Sequence, residues 1–318
     1  MISSKIIGVG HYLPKKIVTN FDLESIIETN DEWITTRTGI KQRHIAAKKE
    51  LTSKLAIEAS KSAIKSAGLS ADKIDHVIVA TTTPDETFPS TACKVQTALN
   101  LGNTPAFDVQ AVCSGFIYSL QIADSLIKSK KGRNILVIGA ETLSKIVDWQ
   151  DRRTCVLFGD GAGAVVLSAS DKGGGILSTN LFSDGSWHDS LYADGGPSLD
   201  QKVGKIRMKG QDIFKQAVNK LTESTKISIV ESKKRIEEVD WLIPHQANLR
   251  IINGTARKLG IDSKKVITTV TKHANTSAAS IPLALSTSII EGKIKTKDLV
   301  ALCAIGGGLT WGSCILEI

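Results

Sequence analysis

The chain has 318 residues, 42% hydrophobic and 23% charged, an ordinary globular composition with no run near the roughly 18 apolar residues of a membrane helix. Lys and Arg (40) outnumber Asp and Glu (32), and the net charge of +8 favours an acidic partner. Aromatics are only 5% and no nucleic-acid motif occurs, which leaves base stacking poorly supplied and argues against nucleic acid.

Residues 1–8 open as a strand, with no secretory signal, so a soluble cytoplasmic protein is expected. Residues 51–67 carry Ala, Ile and Leu at helical spacing, and Gly68 stops them. Residues 74–80 form a short β-branched run reaching the loop Thr81-Thr-Thr-Pro84. A strand at 107–110 precedes a long apolar helix at 115–130 with little polar face. A strand at 134–140 follows, then the glycine-rich turn Gly159-Asp-Gly-Ala-Gly163 leading into a strand at 162–167. Asp171-Lys-Gly-Gly-Gly175 reads as a linker. The second half repeats the order: helix 210–226, strands 241–243 and 267–270, helix 278–290, strands 299–304 and 313–316, with Gly306-Gly-Gly308 as its glycine turn.

The halves look like copies. Ile74-Asp-His-Val-Ile-Val-Ala80 parallels Val239-Asp-Trp-Leu-Ile-Pro-His245, and Asn134-Ile-Leu-Val-Ile-Gly-Ala140 parallels Asp298-Leu-Val-Ala-Leu-Cys-Ala304. The expected architecture is α/β, layered helix–sheet–helix–sheet–helix, with halves at 1–171 and 172–318 sharing one core. Cys113 then falls after a strand of the first half, while His245 and Asn275 fall at strand ends of the second, where open α/β sheets place chemistry.

Five cysteines (93, 113, 155, 303, 314) contain no C-x-x-C pair, which argues against both a disulfide scaffold and zinc; no metal site is expected. A lone cysteine is more often a core residue, but Cys113 opens a helix, where free N–H groups and the helix dipole should lower its thiol pKa and supply oxyanion donors. His245 in Pro244-His-Gln-Ala-Asn248 could be a hydrogen-bonded core histidine, and Asn275 in Lys272-His-Ala-Asn-Thr-Ser277 a helix cap. Taken with Cys113, they offer two side-chain donors and no carboxylate. Hydrolysis of a thioester wants a base for water, whereas an enolate wants donors only, so the trio suits carbon–carbon bond formation from a decarboxylating nucleophile.

The motifs Asp31-Glu-Trp-Ile-Thr-Thr-Arg-Thr-Gly-Ile40, Asp108-Val-Gln-Ala-Val-Cys-Ser-Gly-Phe116, Gly159-Asp-Gly-Ala-Gly163, Pro244-His-Gln-Ala-Asn-Leu-Arg250, His273-Ala-Asn-Thr-Ser277 and Gly306-Gly-Gly-Leu-Thr-Trp-Gly312 span nearly the whole chain. Together they resemble the β-ketoacyl-acyl-carrier-protein synthase III family of thiolase-like condensing enzymes. The resemblance implies a five-layer α-β-α-β-α fold from two pseudo-symmetric halves. It implies that Cys113 takes acetyl from acetyl-CoA, with no permanently bound cofactor. His245 and Asn275 would then assist decarboxylation of malonyl carrier protein, with Cys113 and Gly307 N–H groups as the oxyanion hole. Trp33 and Arg152 match the pair that sandwiches the CoA adenine, and Arg37, Thr38, Gly210, Phe214, Asn248 and Ile251 match other CoA-channel positions. The segment Gln246, Ala247, Asn248, Leu249 and Arg250 matches the docking site for an acidic acyl carrier protein. Lys209, Lys215, Arg257 and Lys258 would extend its basic rim. The family is homodimeric, and Phe88 matches the residue that closes the acyl pocket across the dimer. Two departures stand out: Ile305 where phenylalanine usually precedes the glycine turn, and Gln211 where asparagine is common.

Rival readings differ at specific residues. In a degradative thiolase one residue separates the C-terminal cysteine from Gly-Gly; here Ala304 and Ile305 separate Cys303 from Gly306, and a one-residue shift on a strand reverses the side chain's face. Chain-elongating synthases use a second histidine where Asn275 stands. A type III paralogue priming polyketide or biotin-precursor synthesis is separated poorly, with Ile305 as the hint in its favour. A non-catalytic carrier-protein binding module would be free to lose the trio that this chain keeps.

Overall fold

The computed structural model describes residues 2–318. A five-stranded mixed sheet uses the first half, in the spatial order Ser3–Tyr12, Asp160–Ser170, Asn134–Thr142, His76–Ala80, Ala106–Val109. The last three run parallel, and the first two are antiparallel to their neighbours. A second sheet repeats this order with Gly175–Ser183, Thr310–Glu317, Leu299–Gly306 and Trp241–Pro244.

Two central helices, Gly115–Lys128 and Ser280–Ile290, lie between the sheets. Phe116, Ile117, Leu120, Ile281 and Leu285 share one buried cluster with Ile78, Val137 and Val165 of the first sheet and Ile243, Val300 and Leu302 of the second. On the outer face of the first sheet, Val77, Val79, Leu136 and Ile138 pack against Leu55, Ala59 and Ala63 of the helix Thr52–Ser66. On the outer face of the second, Leu242, Ala301, Cys303 and Ile315 join Ala217 and Leu221 of the helix Gly210–Glu231. Apolar side chains thus leave both faces of each central strand, as a sheet covered on both sides requires. The result is the expected five-layer thiolase-like α-β-α-β-α fold.

One glycine pair lets the first sheet approach the second central helix closely. Gly139 and Gly163 face each other in register on neighbouring strands. A methyl at Gly139 would overlap the Ala278 carbonyl, and one at Gly163 would overlap the Pro282–Leu283 backbone. The segment 159–163, expected as a turn, is therefore largely strand: Asp160 already begins it, and Gly163 serves helix–sheet contact.

The expected strand at 267–270 is not formed. Its first-half counterpart, Ala106–Val109, pairs fully with His76–Ala80, whereas here a single bridge joins Val266 to Leu242. The Gln246 side chain replaces the ladder. Its Oε1 accepts the N–H groups of Thr269 at 2.7 Å and Val270 at 3.1 Å, and its Nε2 donates to Ile267 O at 3.2 Å. A local amide has overridden the β propensity of Ile-Thr-Thr-Val. Val270–His273 instead turns as a short helix.

Candidate active site

Cys113 lies on the 3₁₀ turn Val112–Ser114, directly ahead of the helix Gly115–Lys128. Val112 holds φ +48°, a left-handed conformation costly for a β-branched residue, so the turn is strained where it presents the thiol. Ser114 Oγ lies 2.7 Å from Ala111 O and 2.8 Å from Thr310 Oγ1, stapling the turn to the last strand. Gly306 closes over it: a Cβ there would stand 2.7 Å from Cys113 N. The glycine turn thus carries Gly307 into the neighbourhood of the Cys113 amide.

His245 follows the strand Trp241–Pro244, and its N–H donates to Cys303 O at 2.7 Å. Its Nδ1 is 2.6 Å from Ser280 Oγ, which also accepts the Gln246 N–H at 3.3 Å. Burial pushes the His245 pKa down to about 3, so the ring is neutral at working pH. Asn275 is gripped by the first half: its N–H donates to Leu157 O at 2.9 Å, and its carbonyl accepts the Gly159 N–H at 3.0 Å. Its Oδ1 accepts the Ser277 N–H at 2.8 Å, which fixes the amide plane and leaves Nδ2 as a donor.

The turn 275–280 is the hub of the site. Asn275 begins it, Ser277 faces the Cys113 thiol, and Ser280 holds His245. Cys113 and His245 stand beyond the ends of strands, one in each half, whereas Asn275, expected at a strand end, follows the short helix Val270–His273 because the strand before it is not formed.

The expected lowering of the Cys113 pKa does not hold. Burial pushes the thiol up to about 12; the Ser277 hydroxyl pulls it down, and the Glu141 carboxylate pushes it up again. The helix dipole, worth up to about 2 kcal/mol, is outweighed by desolvation. Glu141 was missed by the sequence reading, which found no carboxylate near the thiol. It is fully buried at the end of the strand Asn134–Thr142, with Thr82 N 3.1 Å and Thr83 Oγ1 2.6 Å from its Oε2. A glutamate ending an apolar strand, opposite Thr81-Thr-Thr83, was the signal available.

Trp33, on the helix Asp31–Thr38, is flanked by two guanidinium groups: Arg37 at 4.8 Å and Arg152 at 5.2 Å from its ring. A base between Trp33 and Arg152 needs two contact spacings of about 3.5 Å, so Arg152 must swing aside and give up its bond to Glu28 O. Asn248 caps the helix Leu249–Leu259, and its Nδ2 donates to Arg37 O at 3.1 Å, joining the two helices. Arg250 lies over the Phe214 ring at 5.2 Å. Lys215, Arg250 and Arg257 surround Phe214 and Val218 in one open depression of about 500 Å³. Lys258 instead bonds Asn219 at 2.6 Å, while Lys209 and Gly210 are exposed at the start of the Gly210–Glu231 helix, with Gln211 beside them.

Several expected contact residues are used internally. Gln246 is fully buried with its amide committed to the 267–270 segment, so it cannot meet a docked protein. Thr38 is buried and its hydroxyl donates to Ile34 O at 2.7 Å; Ile251 is buried in the core face of its helix. Ala247 and Leu249 are half-buried. Cys303 is fully buried on the outer face toward Thr225, away from the central helices, as the strand argument requires. Alternation turns Ile305 to that same side, at the edge of the glycine turn. Phe88 is 82% exposed, an unusual state for a phenylalanine.

Among the described residues, no group of three or more His, Cys, Asp or Glu could hold a metal ion, and no helix is long and apolar enough to cross a membrane. Residues 107–185 match the family described as 3-oxoacyl-[acyl-carrier-protein (ACP)] synthase III, and residues 229–318 match its C-terminal family. The chain is 54% identical over 320 residues to the β-ketoacyl-[acyl-carrier-protein] synthase III of Rhodospirillum centenum, covering 99% of both. The 3-oxoacyl-[acyl-carrier-protein] synthase III of Aquifex aeolicus superposes with a TM-score of 0.95 at 53% identity, covering 99% of this chain and 100% of that one. A priming β-ketosynthase of the R1128 polyketide pathway superposes equally well, TM-score 0.95, but at 31% identity, covering 99% and 96%. With the fold, the strand-end site and relatives matched from end to end, the chain belongs to the β-ketoacyl-acyl-carrier-protein synthase III family and is a condensing enzyme of the acyltransferase type.

Proposed function

We propose that this enzyme initiates type II fatty acid synthesis in the cytoplasm. Cys113 takes the acetyl group of acetyl-CoA and releases CoA. Malonyl carrier protein then loses CO₂, and its enolate attacks the acetyl thioester to give acetoacetyl carrier protein. The observation that carries this reading is the turn 275–280, which orients a neutral histidine and an amide donor around a buried thiol. If the Ser280 hydroxyl donates to His245 Nδ1, the ring proton sits on Nε2, and both second-half side chains present donors to an enolate oxygen. Cys113 and Gly307 N–H groups serve as the oxyanion hole of acyl transfer.

In this reading the halves 1–171 and 172–318 divide the labour, the first binding the acyl group and the second handling the malonyl unit. Trp33, Arg37 and Arg152 hold the adenine end of CoA, Arg152 opening to admit it. Asn248, Gly210 and Phe214 line the way inward. Lys215, Arg250 and Arg257 receive the acidic carrier protein by charge. The enzyme works as a homodimer in which Phe88, so exposed in one chain, closes the neighbour's acyl pocket. That would limit the primers to short acyl groups. The second reading, a paralogue priming another pathway with a different acyl starter, is supported by the equally good superposition of the R1128 priming β-ketosynthase; Ile305 does not carry it, since its side chain turns to the outer side with Cys303.

One experiment separates them. The protein is mixed with acetyl-, isobutyryl- or hexanoyl-CoA and its tryptic peptides are weighed. Acetyl on the Cys113 peptide, with hexanoyl poorly loaded until Phe88→Ala, supports the first reading. Preference for the longer donors in the unaltered enzyme supports the second. Acylation at another cysteine overturns both.

A further inference from the structure

Asn275 is the member of the trio with no strand leading into it. The segment 266–270 makes a single bridge, and the short helix Val270–His273 stops two residues before it. Its place is set instead by the first half. Its N–H donates to Leu157 O at 2.9 Å, and its carbonyl accepts the Gly159 N–H at 3.0 Å. Whatever fixes the segment 156–159 therefore fixes Asn275.

That segment is not itself strand. The Thr154 and Cys155 N–H groups donate to Asp151 O and the Leu157 N–H to Thr154 O, as successive turns, and regular strand begins only at Asp160. Between the two lies Val156, whose carbonyl accepts from Arg43 Nη2 at 2.8 Å.

Arg43 stands on the strand Gln42–Ile45. Among the described residues it is the largest fully buried side chain. Its acceptors are neutral: besides Val156 O, Nη1 donates to Asn20 Oδ1 at 2.9 Å and to Val18 O at 3.3 Å, and Nε has no partner. Asn20 is fully buried too, and its Nδ2 donates to Ile40 O at 2.7 Å and Asp31 Oδ1 at 2.8 Å, which turns Oδ1 toward Arg43. The guanidinium plane is thus anchored at one end and grips Val156 with the other. Arg43 also backs onto Gly159: a Cβ there would stand 3.2 Å from Arg43 Cβ and 2.7 Å from His273 O. Two residues earlier, the Lys41 N–H donates to Thr271 O at 3.0 Å. Arg43 and its neighbour Lys41 therefore meet both the segment that clamps Asn275 and the short helix that precedes it.

A buried charge without a carboxylate is costly, and apolar side chains of similar volume are often as stable or more so. What a guanidinium adds is a rigid planar fork that fixes acceptors on two segments at once. We propose that Arg43 is a positioning residue for Asn275: by holding Val156 O it sets where Leu157 and Gly159 present the Asn275 amide. The proposal rests on the reading above, in which Asn275 Nδ2 donates to the enolate oxygen during condensation. Arg43 acts only through the backbone of 156–159, so loading of Cys113, which does not use Asn275, proceeds without it.

The test separates the two half-reactions. Acetyl transfer from acetyl-CoA to Cys113 is followed by intact mass in a single turnover, and condensation of the acetyl enzyme with malonyl carrier protein is followed for kcat and KM. The proteins are the unaltered enzyme, Arg43→Met, Arg43→Lys, Asn275→Ala and the double variant Arg43→Lys with Asn275→Ala. Arg43→Met should load acetyl at nearly the unaltered rate while kcat for condensation falls about tenfold or more, because a displacement on the order of 1 Å is enough to cost that much. KM for malonyl carrier protein should not move. Arg43→Lys keeps the charge but can serve only one side of the fork, so it should show the same split with a smaller loss, and it carries the test if Arg43→Met folds poorly. In the Asn275→Ala background the Arg43→Lys change should cost nothing further, because its effect passes through the missing amide. Losses that multiply in the double variant, an equal fall in loading and condensation, or unaltered condensation in Arg43→Lys would each overturn the positioning role. Condensation at the unaltered rate in Asn275→Ala would instead overturn the donor role of Asn275 itself, and Arg43 with it.

Discussion

The two halves build the same turn twice and use it differently. Val112-Cys113-Ser114 ahead of Gly115 and Ser277-Ala278-Ala279 ahead of Ser280 are both 3₁₀ turns leading into a central helix, and both begin at φ +48°. In the first half the second residue of the turn is Cys113, the proposed acyl acceptor. In the second that position is Ala278, which packs on Gly139, and the polar side chains stand on its flanks: Asn275 before, Ser277 at the start, Ser280 after. The strand leading into each turn differs accordingly. Ala106–Val109 is fully paired with its neighbour ahead of Cys113, while 266–270 is reduced to one bridge and a glutamine side chain. The two halves thus carry equivalent strained turns, one presenting a thiol and the other flanked by an amide and two hydroxyls.

The sharpest way to test this division is to silence one half at a time. His245→Ala should leave acetyl loading of Cys113 intact while cutting condensation with malonyl carrier protein by about 10²-fold or more, the cost of one lost donor to a developing oxyanion. Loss of loading with malonyl decarboxylation retained would reverse the assignment of the halves.

A second contrast is in stability. Gln246→Leu removes the acceptor for the Thr269 and Val270 N–H groups in the second half. It should lower stability by roughly 1–3 kcal/mol, read as a reduced denaturation midpoint. A midpoint unchanged from the unaltered protein would mean that the 266–270 segment is held by packing instead.

Acid should also discriminate the halves. In the first, burial raises the carboxyls of Glu141 and Asp160, so folding binds protons there, and this opposes the acid loss from His11, whose pKa burial lowers. In the second, burial lowers His245 to about 3 and His273 to about 4 from an ordinary 6.5. The unfolded chain then binds more protons than the folded one between those values, and the histidines' contribution, complete above about pH 6.5, is lost as pH falls toward 4. His273→Asn should therefore narrow the difference in Tm between pH 7 and pH 5. An unchanged or wider difference would show that the histidines do not govern the acid limb.

The smallest expected effect is on docking. Arg250→Glu should raise KM for malonyl carrier protein several-fold and leave acetyl loading nearly unchanged, and added salt should mimic it, because exposed charges are screened over roughly 10 Å at 0.1 M. Equal loss in both half-reactions would place Arg250 in the shared channel.

Much of this was legible without coordinates. Apolar periodicity located the helices at 52–66 and 115–128 and the strands at 76–80, 241–244 and 299–306 within a few residues. The helix Leu249–Leu259 carried its own signals, an Asn248 cap and Gly260 at φ +76°, that were passed over in favour of its motif. What misled was local: Ile267-Thr-Thr-Val270 has strand propensity, and nothing in its own residues announces that Gln246 will take its N–H groups.

The sequence by itself determined the repeated order of elements and the layered α/β architecture, and it singled out Cys113, His245 and Asn275 as candidates, because these depend on short-range pattern, although the strand expected ahead of Asn275 is not formed. Only the tertiary structure decided the environment of each group. It set the thiol in a desolvated pocket that raises its pKa, neutralised His245 by burial, withdrew Gln246 from the surface, and buried Glu141 and Ser277 near the Cys113 thiol. Desolvation and hydrogen-bond partnership are properties of what surrounds an atom in space. Residues 141 and 277 reach Cys113 only when two sheets close on the same pair of helices.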